Sequence, residues 1–385
     1  MARLSSFAAG SSALLVVSLL AACGPQPHTE PGTSAPTPEP TQVRDGVQPA
    51  GVPADITTGL AAPWSILRIP LAGVSDNEIV DIVLVSERDT GDVQQVMPDG
   101  SLNRIGTIPG VAHAGEGGLL GLAYLDDGST QWLYAYLTTA GDNRIIRIPF
   151  GDELGISSDP EVVLDNIAKA GNHNGGRIAF GPDGMLYATT GDAGNPDTSQ
   201  DPATLNGKIL RMTPDGHAPT DNPTPGSIVY SFGHRNPQGL AWDGDGQLWA
   251  AEFGQNTWDE FNRIEPGGNY GWPVVEGQAG DDRFIDPWLQ WGTDAASPSG
   301  LAWMDGTFFM AALRGERLWA IYVDEEAQTA SAVEWFTGEY GRIRDVTTGR
   351  DGSLWMLTNN TDGRGSPHDG DDRILQVELV ELAEG

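Results

Sequence analysis

The sequence predicts an all-β fold, a six-bladed β-propeller. Three observations lead there. One strand-turn-strand pattern recurs six times, almost no segment carries a 3.6-residue apolar period, and 51 Gly with 27 Pro among 385 residues supply the turns that many short strands need. Aligning the repeats on Leu67, Ala123, Ala179, Ala241, Ala302 and Thr347 gives intervals of 56, 56, 62, 61 and 45 residues, one blade each plus loops of variable length. A ring of such units leaves only short, protected strand edges. Two β-sandwiches are the rival all-β arrangement, and they account less well for the regular spacing. Twelve Trp point to a large, well-filled core.

From the N-terminus, residues 1–22 read as a secretory signal: Arg3 precedes the apolar run Leu14–Ala22, which is shorter than the roughly 20 residues a spanning helix needs. Leu20-Ala21-Ala22-Cys23-Gly24 resembles a bacterial lipobox, so Cys23, the sole cysteine, is expected to be diacylated. Export and a lipid anchor outside the cytoplasmic membrane follow from that expectation. Residues 23–50 carry seven prolines among Thr, Ser, Gln and Glu and read as a stiff, extended tether. The folded body is expected over 51–385. Its first repeat is degenerate, Trp64-Ser65-Ile66-Leu67 resuming at Ile82–Ser86. The second runs from Gly121 to Leu137. The third, Gly175 to Thr189, is the clearest, two alternating strands around Asp183-Gly184. The fourth (Gln238–Ala251), fifth (Ser299–Ala312) and sixth (Arg344–Thr358) repeat it.

Charge narrows the function. With 21 Lys+Arg against 53 Asp+Glu the net charge is −32, which repels nucleic acid and anionic lipid. One cysteine excludes a disulfide framework and a cysteine zinc cluster. In a propeller, loops at one end converge, so residues far apart in sequence can share a pocket. Four loops carry chemistry. In Gly171-Asn172-His173-Asn174-Gly175, His173 has the residue type of a general base, and the hairpin returns at Gly191-Asp192, where a carboxylate can orient the imidazole. A capping histidine and a turn aspartate are the plain alternative. His234-Arg235-Asn236-Pro237-Gln238 is dense in directional donors. In Gly341-Arg342-Ile343-Arg344-Asp345, strand alternation points Arg342 and Arg344 the same way. With Arg314 they suggest an anionic cofactor, although a solvated strand face paired to Asp345 would look alike. The fourth loop, Glu252 to Glu260, offers backbone carbonyls with Asp259 and Glu260, oxygen ligands that suit Ca²⁺.

Together with Glu116-Gly117-Gly118-Leu119-Leu120-Gly121 and Gly268-Asn269-Tyr270-Gly271-Trp272-Pro273, these segments resemble, in order from about Gly59 to Leu379, the glucose/sorbosone dehydrogenase family. These are six-bladed quinoproteins that use pyrroloquinoline quinone (PQQ) and Ca²⁺, and the compact spacing is closer to the aldose sugar dehydrogenases within it. The resemblance implies that His173 is the base that takes the anomeric proton while C1 delivers hydride to the quinone, with Asp192 orienting it and Arg235 polarising the quinone oxygen. It implies that Asn236, Arg314, Arg342, Arg344 and Thr293 hold the tricarboxylate cofactor and that Trp291 stacks near the substrate mouth. Gly254 and Gln255 match the carbonyl pair of a catalytic Ca²⁺, and Glu260 and Tyr270 match a structural one. This sequence departs from the family at Glu116, where many members have glutamine, and at Asn172, which is Asp in some. The expected partners are an aldose and a quinone or redox-protein electron acceptor, with the chain a monomer or homodimer. A propeller that only binds a ligand and a Ca²⁺-dependent lactonase are the alternatives.

Overall fold

Every repeat anchor lies on the innermost strand of a blade, and in five of the six it faces a larger residue on the second strand: Ala123 pairs with Tyr134, Ala179 with Tyr187, Ala241 with Trp249, Ala302 with Phe309 and Thr347 with Trp355, while Leu67 of the first blade pairs with Leu84. The computed structural model describes residues 46–70, 81–151, 154–157 and 159–382; the expected signal, Cys23 and the tether up to residue 45 lie outside them. Six four-stranded antiparallel sheets form the blades. A leading strand, β1 (Val47–Thr58), is followed by blade 1, β2 (Pro63–Pro70), β3 (Asp81–Glu87), β4 (Asp92–Val96) and β5 (Leu102–Thr107). Blade 2 is β6 (Leu119–Asp126), β7 (Gln131–Thr138), β8 (Asn143–Pro149) and β9 (Glu161–Ile167). Blade 3 is β10 (Ile178–Phe180), β11 (Leu186–Thr190), β12 (Lys208–Met212) and β13 (Val229–Phe232). Blade 4 is β14 (Pro237–Trp242), β15 (Leu248–Glu252), β16 (Trp258–Arg263) and β17 (Leu289–Gly292). Blade 5 is β18 (Pro298–Met304), β19 (Thr307–Ala312), β20 (Arg317–Asp324) and β21 (Thr329–Trp335). Blade 6 is β22 (Ile343–Thr348), β23 (Leu354–Thr358) and β24 (Arg373–Glu381), with β1 as its outer strand.

The second strand of a blade is deeply buried because its two faces meet the neighbouring blades; in blade 3 the third strand, β12, is buried throughout as well. β11, β15, β19 and β23 are buried at every position, and they read as short apolar runs rather than alternations. Outer strands such as β5 and β9 are largely exposed. The core accordingly divides into six apolar clusters, one at each blade-blade interface. Between blades 4 and 5, for example, Trp249 stacks on Phe261 and meets Phe308.

β1 corrects the expected boundary at residue 51. The strand starts at Val47, inside the stretch read as tether, and pairs with β24 from Val47↔Glu381 to Thr58↔Arg373, with irregularities between Ala50 and Ala54 and between Asp55 and Thr57. Val47 N–H donates to Thr307 Oγ1 at 2.8 Å, and that hydroxyl is also 2.8 Å from the Val47 carbonyl, so the first strand is fastened to blade 5 as well. The first and last described strands thereby close the ring within one blade.

Candidate functional site

The loop Gly171–Arg177 enters blade 3 with His173 in the left-handed region, φ +54°, a conformation a side chain seldom adopts unless its surroundings hold it. Here they do. His173 N–H donates to Glu116 Oε2 at 2.9 Å, and its carbonyl accepts from Ala193 N–H at 3.1 Å. Gly191 is required beside it, since a Cβ there would collide with the His173 carbonyl. That close approach brings Asp192 Oδ1 to 2.7 Å from His173 Nδ1. A carboxylate only accepts, so Nδ1 carries the proton and Nε2 the lone pair. Asp192 is itself fixed, Oδ1 accepting from Gly194 N–H at 2.8 Å and Oδ2 from the Trp272 indole at 2.9 Å. Burial works to raise its carboxyl, but the bonds from His173, Gly194 and Trp272 together hold it below the usual range.

His173 opens onto a cavity of about 420 Å³. Six arginines line it: Arg88, Arg235, Arg314, Arg342, Arg344 and Arg364. Asp362 sits behind them, 3.2 Å from Arg342 Nη2 and 3.9 Å from Arg344 Nη2 and Arg88 Nη1. Arg88 has a nearer carboxylate in Asp89, 2.6 Å from its Nε, but Asp362 alone cannot satisfy both Arg342 and Arg344. The Nε atoms of Arg235, Arg342 and Arg344 are buried without a partner, and burial together with the like charge of Arg342 brings Arg344 down to about 9. The wall is short of anionic acceptors.

Blade 4 supplies the opposite wall. Glu252 Oε1 accepts the N–H groups of Arg235 and of Asn236, the latter at 3.2 Å, while Oε2 lies 2.7 Å from His234 Nδ1. Asn236 Oδ1 in turn accepts from Gly175 N–H at 3.0 Å, bracing the His173 loop from below. Arg235 Cζ lies 5.5 Å over the Trp272 ring, and burial lowers its pKa. Gly254 N–H donates to Asp259 Oδ1 at 2.8 Å; one oxygen of Glu276 accepts from the successive N–H groups of Gln255, Asn256, Thr257 and Trp258, the first at 2.6 Å. With their amides tied back in this way, Gly254 and Gln255 line the cavity. Burial pushes Asp259 up to about 6.

Of the expected residues, His173, Arg235, Asn236, Arg314, Arg342, Arg344, Thr293, Glu116, Gly254, Gln255 and Asp259 all reach this one cavity. Asp192 stands directly behind His173. Asn172 is exposed beside it, its amide nitrogen 3.3 Å from His173 Nε2. Trp291 is not part of the wall: its ring packs against Trp319 at 5.5 Å. Glu260 and Tyr270 line a separate small cavity behind Arg235, together with Glu252 and Glu276. There the Tyr270 hydroxyl donates to the Arg263 carbonyl at 2.6 Å and accepts from Glu265 N–H at 2.8 Å, so the side chain is committed to backbone. Burial and the neighbouring Glu252 raise the Glu260 carboxyl. Among the described residues no three His, Cys, Asp or Glu side chains group as a metal cage, so a cation here would depend on carbonyl oxygens. Asp345 does not pair with Arg342 or Arg344; it pairs with Arg177. Sequence reasoning gave no role to Trp64, Arg88, Arg364 or Asp362, and named Gln238 only as one of the donors crowded around Arg235. Only the scarcity of arginine in so acidic a chain could have drawn attention to Arg88 and Arg364.

Comparison with known proteins agrees with this geometry. The sequence model described as Glucose / Sorbosone dehydrogenase matches residues 60–369. An aldose sugar dehydrogenase of Escherichia coli is 30% identical over a stretch covering 66% of this chain and 78% of that protein. A quinoprotein glucose dehydrogenase B of Acinetobacter calcoaceticus is 32% identical, covering 60% of this chain and 54% of that protein. Among solved structures, the PQQ-bound form of an aldose sugar dehydrogenase from Streptomyces coelicolor superposes with a TM-score of 0.79 at 48% identity, over 87% of this chain and 98% of that one.

Proposed function

This chain belongs to the glucose/sorbosone dehydrogenase family, and from that premise we propose that it oxidises aldoses at C1 to lactones with PQQ as cofactor and Ca²⁺ in support. The observation that carries the reading is the wall of buried arginines with unpartnered Nε atoms, set in one cavity with an oriented histidine. A tricarboxylate quinone fits that wall: Arg342 and Arg344, with Arg314, Asn236 and Thr293, would hold its carboxylates. Bound there, PQQ supplies the acceptor for the hydride that leaves the sugar's C1. Ca²⁺ would sit on the carbonyls of Gly254 and Gln255 near Asp259, where it supplies Lewis acidity; Glu260 and the Tyr270 backbone fit a second, structural ion.

The protein's own part follows from its hydrogen bonds. His173 Nε2 takes the proton of the anomeric hydroxyl. Asp192, bonded to Nδ1, holds the ring in the required tautomer and stabilises the imidazolium that forms. Arg235, its guanidinium desolvated over Trp272, offers positive charge where negative charge develops, and it does so without reorganising. Glu116 ties the base loop to the rim, one oxygen on His173 N–H and the other 2.9 Å from Arg364 Nη1. A purely binding propeller has no use for the His173–Asp192 pair, and a lactonase has none for the arginines.

We further read the chain as exported, lipid-anchored at Cys23, and passing electrons to a quinone or redox protein, as a monomer or homodimer. Mass spectrometry of the N-terminal peptide from membranes tests the anchor; an unmodified Cys23 would refute it. The function is tested by reconstituting residues 46–385 with PQQ and Ca²⁺ and following dye reduction across a panel of aldoses. Sugar-dependent reduction that needs both additions is expected. Failure to bind PQQ, with hydrolysis of sugar lactones, would overturn the reading in favour of the lactonase.

A further inference from the structure

The propeller axis carries a construction that the proposed reaction leaves unused. Two residues before each repeat anchor stand Ser65, Gly121, Arg177, Gly239, Gly300 and Asp345, from blade 1 to blade 6. Blades 2, 4 and 5 have glycine there, and the space is taken: a Cβ on Gly300 would run into Asp345, and one on Gly239 into the Ser299 carbonyl. The two blades with charged side chains, 3 and 6, stand opposite each other in a ring of six. Arg177 crosses between them, Nη1 lying 2.9 Å from Asp345 Oδ2 and 3.3 Å from Ser65 Oγ, while Nε donates to the Gln238 carbonyl at 2.9 Å. One side chain of blade 3 therefore ties blades 1, 4 and 6. Asp345 Oδ2 also accepts from Ile66 N–H at 2.8 Å, and both partners are more than nine-tenths buried.

Stability alone is a weak reason for such a pair, since apolar residues of similar volume often serve a buried position as well. Its contacts supply a better one. Arg177 does not line the cavity, but what it touches does. Its Cζ lies 4.4 Å over the Trp64 ring, and the carbonyl it holds belongs to Gln238, whose Oε1 accepts from Arg344 Nη1 at 2.9 Å. Asp345 adjoins Arg344 in the chain. Trp64, Gln238 and Arg344 are three cavity walls from three blades, and all three meet at this pair.

We propose that the Arg177–Asp345 pair is a positioning element for the anionic cofactor, closing the axis behind the cavity and fixing Trp64, Gln238 and Arg344 in the arrangement that receives it. This rests on reading the cavity as a quinone seat. Arg177 acts through these three walls and touches no reacting atom. The test is the double variant Arg177→Met/Asp345→Leu, read by its PQQ dissociation constant from quenching of tryptophan fluorescence and by the thermal midpoint of the cofactor-free protein. A dissociation constant raised about tenfold or more, with a midpoint within a few degrees of wild type, is the expected result. A folded variant with wild-type affinity overturns the proposal alone. A wild type that binds no PQQ overturns the quinone reading and this inference with it. Should the double variant not fold, Arg177→Lys decides by the same titration, because it keeps the charge and loses the fork that reaches Ser65, Gln238 and Asp345 together.

Discussion

His173 and Asp192 form the part of the site whose chemistry can be separated from cofactor binding by single substitutions. His173→Ala removes the base and is expected to lower kcat by about 10²–10⁴-fold while leaving PQQ affinity within a factor of two or so of wild type, as Arg342 and Arg344 remain. Asp192→Asn is the sharper probe. An amide can donate to Nδ1, which would move the ring proton to Nε2 and leave no base facing the sugar. Fluorescence titration and stopped-flow reduction separate the two effects, and full turnover in either variant would sink the assignment. The same carboxylate has a signature in stability. Its folded-state pKa is depressed, so its contribution is complete above the unfolded value of about 4 and lost as pH falls through the lower folded value. Melting curves from pH 5 to pH 3 should fall more steeply for wild type than for Asp192→Asn; parallel slopes would contradict the sign. At this scale the sequence was informative wherever polar residues crowded into one loop, as around His173 and His234. It was silent on Trp64, Arg88 and Arg364, single residues in plain surroundings that become a wall only when blades 1 and 6 are brought together round the axis. Trp291 shows the converse: the family resemblance put it near a substrate mouth, but β17 is an outer strand and its ring packs against Trp319.

Individual strands were legible for a related reason. An inner strand alternates, a second strand is a short apolar run, and an Asp-Gly turn often joins them, so the six hairpins nearest the axis stand out. β1 did not. Its burial runs irregularly, broken by two register shifts, and Pro49, Gly51 and Pro53 give it the composition of a linker. Its role is readable only from its partner β24, whose outer edge it covers. A chain beginning at Gly59 should therefore melt well below one beginning at Gly46, since blade 6 loses its outer strand and Thr307 loses its partner at Val47. Equal melting temperatures would show that β1 decorates the ring rather than closing it.

For the whole molecule, the contrast of charge is the organising fact. A chain of net charge −32 concentrates arginine in one cavity, so that seat is a local exception maintained against the surrounding field. An anion that fills it relieves repulsion among Arg88, Arg342 and Arg344, and bound PQQ at a hundredfold excess over its dissociation constant should add about 2.7 kcal/mol to stability. Across blade 4 the imbalance is reversed, with Glu252, Glu260 and Glu276 lining the small cavity and Asp259 the large one. A calcium chelator is expected to lower the thermal midpoint by several degrees, with Ca²⁺ and not Mg²⁺ restoring it, because carbonyl-rich sites suit the larger, more tolerant ion. Indifference to the chelator would remove Ca²⁺ from the mechanism.

The pairing of β1 with β24 also sets a clock. Among the described strands, the one made first has as its partner the one made last, more than 300 residues later, so at ordinary rates of synthesis it waits roughly fifteen seconds to a minute. Until then the nascent protein is an open arc whose leading strand has no mate. Pro49 and Pro53, which help disguise β1 as linker, are also residues that blunt an exposed strand against pairing with a neighbouring chain.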